Sequence, residues 1–136
     1  MRGIWTNFFI IAWYCLTPAS AAPHLKGPVP AMVERVIDGD TLVVRARIWL
    51  DQDITVRVRI ADIDTPELSR PRCPAERAKA EVAKQLAEKM IGPGAVTLSD
   101  IHYGKYAGRV VAHVKTGQGD LAETLKAQGL DGDEWC

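Results

Sequence analysis

The chain has 136 residues, of which 47% are hydrophobic and 25% are charged, with 17 basic and 17 acidic side chains. This length suits one compact domain, and the composition excludes a disordered chain, a repeat protein and a multi-span membrane protein. Because the formal net charge is zero, the chain lacks the strongly basic body that would hold nucleic acid by bulk charge. Any polyanionic partner must therefore be bound locally.

Residues 1–21 carry the pattern of a secretory signal peptide. Arg2 precedes an apolar stretch that runs from Ile4 to Leu16, and the segment closes on Ala-x-Ala. The apolar stretch is shorter than the ~20 residues of a spanning helix, although an uncleaved anchor is the alternative. We expect cleavage near Ala21, a secreted or periplasmic protein, and no stable membrane association afterwards. The proline-rich residues 22–30 are interpreted as a spacer.

Two cysteines follow this segment, Cys73 and Cys136. An even number of cysteines in an exported protein predicts one disulfide, which would tie the last residue to the middle of the chain. The alternatives are two free thiols, or an intermolecular bond through Cys136.

Residues 31–136 are predicted to form the folded domain. Apolar and polar side chains alternate in three successive runs, which is typical of a three-stranded antiparallel meander with one buried face. These runs cover residues 33–37, 41–48 and 54–60.

The period of the pattern then changes to that of an amphipathic helix over residues 74–91, from Pro74 to a Gly-Pro-Gly stop. The apolar side of this helix is marked by Ala75, Ala78, Val82, Leu86 and Met90, with Ala83 and Ala87 beside them. Further strands are predicted at 95–98 and 109–114, and a short helix at 120–128. Five strands with a helix between the third and fourth favour a mainly β, α+β fold: a five-stranded Greek-key barrel of the oligonucleotide-binding (OB) kind. A plain α+β sheet is the alternative, since periodicity alone does not choose between them.

Other charged side chains on these elements carry less information. The helix charges are interpreted as an ordinary solvated face; they are Glu76, Lys79, Lys84 and Glu88. On the polar sides of the strands, Arg45, Arg47 and Arg57 either steer phosphates or form a solvated strand face.

Acidic residues follow the first and the third predicted strands. Asp40 lies in an Asp-Gly turn, while Asp64 and Glu67 lie in a loop closed by a proline. Taken separately, these are an ordinary turn and a solvated loop. In a meander, however, the start of strand two and the end of strand three lie at the same edge, so the three carboxylates could converge.

Crowded carboxylates repel one another unless a cation or a proton lies among them. Oxygen ligands without a His or Cys cluster favour Ca²⁺ or Mg²⁺ over zinc. Arg59 precedes the acidic loop, and Arg109 opens a later strand. A dication beside two arginines suits phosphoryl chemistry, because guanidinium groups bind phosphate oxygens bidentately and stabilise added negative charge.

Three motifs in order carry a family resemblance. They are Val-Ile-Asp-Gly-Asp-Thr at 36–41, Val-Arg-Ile-Ala-Asp-Ile-Asp-Thr-Pro-Glu at 58–67, and Tyr-Ala-Gly-Arg-Val-Val-Ala at 106–112. With the closing residues 125–130, the sequence resembles the staphylococcal nuclease (thermonuclease) family over about residues 31–130. The resemblance implies an OB barrel and Ca²⁺-dependent hydrolysis of DNA and RNA phosphodiesters, which releases 3′-phosphates.

The resemblance also implies a role for each matching residue. Asp40 and Asp64 would bind calcium through carboxylates, and Thr65 through its backbone carbonyl. Glu67 would activate the attacking water, while Arg59 and Arg109 would hold the scissile phosphate.

The second arginine requires a choice between two alignments. The family's Tyr-Gly-Arg matches Tyr103-Gly104-Lys105 with a lysine in place, or residues 106–109 with one residue inserted. Arg109 is preferred because it keeps the phase of the following strand and because lysine lacks the bidentate fork. Further candidate substrate contacts are Arg70, Arg72 and Tyr106.

The sequence departs from the family after Leu130. The family continues with a tyrosine-bearing segment, whereas residues 131–136 bring three acids and Trp135. Trp135 either stacks a base or acts as a hydrophobic plug beside the disulfide. We expect a monomeric endonuclease; the alternatives are a non-catalytic oligonucleotide-binding module and a protein-interaction domain of an envelope assembly.

Overall fold

The computed structural model describes residues 21–136 together with Gly3. Apart from Gly3 and Ala21, the predicted signal peptide therefore lies outside the described residues. No helix in the described part of the chain has the length and apolarity needed to cross a membrane.

The described elements follow the predicted order. The strands are β1 (His24–Leu25), β2 (Val29–Asp38), β3 (Thr41–Trp49), β4 (Gln52–Ile60), β5 (Ala95–Tyr103), β6 (Arg109–Thr116) and β7 (Gly119–Asp120). The helices are α1 (Pro74–Ile91), between β4 and β5, and α2 (Leu121–Ala127), after β7.

Five strands close into a barrel. Strands β2, β3 and β4 form an antiparallel meander, and β4 pairs in parallel with β6. Strand β6 then pairs with β5, and β5 returns to β2, which closes the ring. The two-residue strands β1 and β7 extend the sheet at β5 and β6. This topology confirms the predicted OB barrel, mainly β with two helices.

The barrel interior is filled by the alternate aliphatic side chains of its strands, as the period of two predicted. The fully buried ones include Leu42, Val44, Val58, Ile60, Leu98 and Val114. Leu121 and Leu125 of α2 and one side of α1 join the same cluster. This packing fixes the ends of β3 and β4, from which the acidic residues extend.

The buried side of α1 differs in part from the one predicted. Ala83, Ala87 and Met90 are buried as predicted, and they are joined by Ala80 and Ile91. Ala75 and Ala78 are exposed, and Val82 is 55% exposed, so their placement on the apolar side was wrong. The small alanines allow the helix backbone to approach the barrel closely, and Val82 lies outside this contact.

Residues 22–30 do not act only as a spacer in this structure. His24 and Leu25 pair with His102 and Ile101 of β5. Val29 begins β2, pairs with Leu98 and is buried. These residues join the sheet because β5 offers an edge for pairing.

Candidate active site

Asp40 and Asp64 converge at one edge of the barrel, as the meander predicted. Asp40 lies in the turn between β2 and β3, and Asp64 follows β4. The main chains are tied there, since Ile60 N–H donates to the Asp40 carbonyl at 2.8 Å. The Arg59 guanidinium lies between the two carboxylates: Nη1 is 3.1 Å from Asp40 Oδ2, and Nη2 is 3.1 Å from Asp64 Oδ1. Both carboxylates therefore face a single cationic group.

The Asp40 carboxylate is buried and fixed by hydrogen bonds from its neighbours. Thr65 N–H donates to Oδ2 at 2.9 Å, and the Thr41 hydroxyl donates to Oδ1 at 3.0 Å. Helix α1 packs directly on this turn, because a Cβ at Gly39 would lie 2.8 Å from the Ala83 Cβ. The glycine of the motif thus allows the close contact that sets the position of Asp40.

Asp38 is a second buried acid of the same turn, and its role was missed in the sequence. Its Oδ1 accepts from Asp40 N–H at 3.2 Å. Burial, assisted by interactions with Asp40 and Glu67, raises the pKa of Asp38 to about 7. Asp38 therefore helps to hold the turn and does not reach the solvent. The repeated acid of Asp-Gly-Asp is the sequence signal that could have indicated it.

Asp64 is more exposed than Asp40. Desolvation raises its pKa; the charge of Arg59 opposes this shift, while Asp40, Asp131 and Asp133 reinforce it. A concentration of negative charge at this edge is the electrostatic environment that binds a cation.

Arg59 makes its contacts inward in this structure. Besides the two carboxylates, its Nη1 donates to the carbonyls of Ile63 and Ile60, at 2.6 and 3.2 Å. Its side chain is only 23% exposed. The predicted phosphate-binding arginine thus neutralises the acidic pair in this arrangement.

Glu67 lies beside Asp64 and Arg70 along a cavity of about 290 Å³. Its side chain is exposed, and no described residue hydrogen-bonds to its carboxylate. Glu67 therefore opens to solvent next to the acidic pair, where it could contact a water molecule.

Glu76 of α1 organises the loop that carries Glu67. Its carboxylate accepts from Arg72 N–H at 2.6 Å and from Arg72 Nε at 3.2 Å, and more weakly from Glu67 N–H at 3.4 Å. Hydrogen bonds from the Arg72 backbone and side chain hold the pKa of Glu76 below its usual range. Because Glu76 is 3% exposed, its interpretation as part of a solvated face was wrong. A glutamate three residues after an N-cap, here Cys73, is the signal that could have found it.

The C-terminal segment, residues 131–136, lies against the acidic loop. The predicted disulfide between Cys73 and Cys136 is present, with Cα atoms 6.1 Å apart. Asp64 N–H donates to Asp131 Oδ1 at 2.9 Å, and Gly132 N–H donates to the Asp64 carbonyl at 2.8 Å. Asp131, which was not predicted as a site residue, thus lies beside Asp64.

Arg72 and Trp135 both contact main-chain carbonyls of this segment. The Arg72 guanidinium contacts the Asp133 carbonyl as well as Glu76, so it is engaged within the protein. Trp135 is half-buried; its Nε1 donates to the Gly132 carbonyl at 2.9 Å, and Lys79 Nζ lies 5.6 Å from its ring centroid. Trp135 therefore lies beside α1 within the C-terminal segment, where a main-chain carbonyl and a lysine contact its ring.

Arg109 does not contact the acidic residues. It pairs with Arg57 across β4 and β6, while Val111 pairs with Arg59, so Arg109 and Arg59 occupy the same outer face of the sheet. The Arg109 guanidinium lies 5.0 Å from the Tyr106 ring centroid, and its Nε is buried with no described hydrogen-bond partner. The two candidate phosphate-binding arginines are thus neighbours on one face but lie in separate cavities.

The atoms of Asp40, Asp64 and Thr65 that could ligate a metal ion are all oxygens. Among the described residues, no group of three or more His, Cys, Asp or Glu side chains is arranged to hold a metal ion. Asp40 and Asp64 nevertheless share one cation, Arg59, and Thr65 lies beside Asp40. Two carboxylates with a main-chain carbonyl suit a hard cation that completes its shell with water, so these residues fit calcium by donor chemistry.

The structure thus combines a closed OB barrel with paired carboxylates at one edge and arginines on the adjoining face. The family described as staphylococcal nuclease homologue matches residues 57–132. Because the match spans more than half of the 136 residues, the chain belongs to this family. The matched region holds Arg59, Asp64, Thr65, Glu67 and Arg109, whereas Asp40 precedes it. No curated protein matches the chain.

Proposed function

We propose that the protein is a calcium-dependent endonuclease that hydrolyses DNA and RNA phosphodiester bonds and leaves 3′-phosphates. The observation that carries the proposal is the convergence of Asp40 and Asp64 on one cationic group, with Glu67 open to solvent beside them. Membership of the staphylococcal nuclease family supports a nucleic acid as the substrate.

Asp40, Asp64 and the Thr65 carbonyl would hold the calcium ion. Bound there, calcium would polarise a phosphate oxygen and neutralise developing negative charge. Arg59 contacts the same two carboxylates, so its availability to a phosphate depends on what else neutralises them.

Glu67 would act as the general base. Its carboxylate takes a proton from the attacking water while the water oxygen forms a bond to phosphorus. The bond from phosphorus to the 5′ oxygen breaks, that oxygen takes a proton from solvent, and the phosphate stays on the 3′ side. Arg59 and Arg109 would stabilise the extra negative charge with their guanidinium groups.

We also propose that the protein acts outside the cytoplasm as a monomer, after residues 1–21 have directed its export. The Cys73–Cys136 disulfide supports this location, because such bonds persist in oxidising compartments.

Replacing Glu67 by glutamine tests the assignment of the base. We expect Glu67→Gln to lower kcat on single-stranded DNA in calcium by about 10²–10⁴-fold, the usual contribution of a positioned base. Glu81→Gln, which removes the same charge from an exposed position of α1, should retain wild-type activity.

Oligonucleotide affinity, measured in excess chelator, should change little in Glu67→Gln. A fully active Glu67→Gln enzyme would refute the mechanism. Binding without any cleavage by the wild type would instead support the alternative, a non-catalytic oligonucleotide-binding module.

A further inference from the structure

Three arginines form one row across four adjacent strands on the outer face of the barrel. The strand register places Arg35 of β2 opposite Val43 of β3, Val43 opposite Arg57 of β4, and Arg57 opposite Arg109 of β6. Neighbouring strands lie about 4.8 Å apart, so the row is continuous at the spacing of the sheet. Arg35 and Arg57 are exposed, and Arg109 is half-buried.

No acid neutralises this row within the described residues. Arg35, Arg57 and Arg109 form no ion pair there. The two arginines of β3 do form ion pairs: Arg45 with Glu34 and Asp53, and Arg47 with Asp53. The row lines a cavity of about 550 Å³ whose other lining residues are all neutral. Three guanidinium groups around one concave surface repel one another unless an anion lies among them.

The row continues directly from the candidate active site. Arg57 and Arg59 are two residues apart on β4 and face the same side, which separates them by about 6.6 Å along the strand. Three cationic groups in a row suit a ligand that carries several negative charges in sequence, which is a property of a phosphodiester chain.

We propose that Arg35 and Arg57, which extend the row outward from Arg109, bind backbone phosphates of a nucleic acid strand beyond the phosphate that is cleaved. The site would then select oligonucleotides over the shortest substrates, through phosphates and independently of base sequence. The location of the cleaved phosphate rests on the proposed function, but the binding of a strand to the row does not.

Two double variants of equal net charge test this assignment: Arg35→Gln with Arg57→Gln, and Arg45→Gln with Arg47→Gln. The probe is fluorescein-labelled dT12, with anisotropy measured in excess chelator over a series of salt concentrations. We expect the Arg35/Arg57 variant to bind about tenfold more weakly. Its slope of log affinity against log salt should be shallower by about 1.4, since two phosphate contacts of a single strand are lost. The Arg45/Arg47 variant should stay within about twofold of the wild type, because its arginines are already paired.

The remaining outcomes would overturn the proposal. Equal losses of affinity in the two variants would mean that only the net charge of the protein matters. If the wild type does not bind dT12, the row is not a nucleic-acid binding site. Poly-glutamate that displaces dT12 at a charge concentration well below that of unlabelled dT12 would make an acidic peptide the preferred ligand.

Cleavage of dT12 in calcium, measured in parallel, separates this proposal from the proposed function. Binding that depends on the row, without cleavage, would refute the proposed hydrolase activity but support the proposed role of the row. Cleavage that is unchanged in the Arg35/Arg57 variant, together with unchanged affinity, would refute the row alone.

Discussion

Arg59 connects the two acids on which the candidate active site depends. Its guanidinium binds Asp40, Asp64 and the carbonyls of Ile60 and Ile63, and little of its side chain reaches solvent. The same side chain belongs to the pair proposed to bind the phosphate. Arg59 and a metal ion would thus neutralise the same carboxylates, and this overlap makes calcium binding measurable without an activity assay.

We predict that Arg59→Gln destabilises the metal-free protein by about 1–3 kcal/mol, because the buried Asp40 carboxylate loses a charged partner. Calcium should restore much of this loss, so its effect on Tm should be larger in the variant than in the wild type. Thermal unfolding in chelator and in millimolar calcium measures both effects.

Arg57→Gln, two positions along the same strand face and without an ion pair in the described chain, is the matched control and should change Tm little. An Arg59→Gln protein as stable in chelator as the wild type would contradict this account of the acidic pair. A calcium shift no larger than that of the wild type would do the same.

At the scale of elements, Glu76 links helix α1 to the loop that carries the candidate base. Its pKa is lowered from 4.5 in the folded state, mainly by hydrogen bonds from Arg72, with Glu67 N–H also contributing. A lowered folded pKa means that this stabilisation is fully present above pH 4.5 and is lost as the pH falls through the folded value.

We therefore predict that the wild type loses more stability than Glu76→Gln between about pH 6 and pH 3. Urea unfolding midpoints at the two pH values give the comparison. Glu81→Gln, on the exposed side of the same helix, should keep the wild-type pH dependence. If the urea midpoints of the wild type and of Glu76→Gln fall by the same amount between the two pH values, this carboxylate does not stabilise the loop.

The disulfide and the N-cap of α1 share one residue, Cys73. Its Sγ is bonded to Cys136 and also accepts from Glu76 N–H at 3.4 Å. The two cysteines are 63 residues apart in the sequence. For a loop of this length, the chain-entropy model predicts that the disulfide stabilises the folded state by about 4 kcal/mol.

We predict a loss of that size, about 4 kcal/mol, for the Cys73→Ala, Cys136→Ser variant. The Cys73→Ser, Cys136→Ser variant should be about 1 kcal/mol more stable than it, because serine is a better N-cap than alanine. Denaturant unfolding of both variants measures the two effects separately. Equal stability of the two variants would exclude a capping role for residue 73.

At the scale of the whole molecule, periodicity predicted the elements and the meander argument brought Asp40 and Asp64 together. The buried side of α1 was predicted only in part, since Ala83, Ala87 and Met90 are buried as expected while Val82 is exposed. Arg35 shows a further limit. A bulge between Val33 and Arg35 shifts the register, so that Arg35 faces Val43 on the outer side, whereas simple alternation would place it opposite the buried Leu42. The two adjacent polar residues between Val33 and Val36, Glu34 and Arg35, interrupt the alternation and are the sequence signal of this inserted residue.

The neutral net charge of the chain conceals a strong local separation of charge. Acids gather at the edge that holds Asp40 and Asp64, and arginines with no ion pair among the described residues occupy the face beside it. A nucleic acid would therefore be held by a few local contacts, and the slope of its log affinity against log salt should reflect only those few contacts.

The most direct test of the central claim is cleavage by the purified, oxidised protein with and without calcium. Single-stranded DNA and RNA are incubated in millimolar Ca²⁺ and, separately, in excess chelator, and the products are tested for terminal phosphates. The account predicts cleavage only with calcium, with 3′-phosphates on the products. Cleavage that persists in chelator, or no cleavage in calcium, would contradict it.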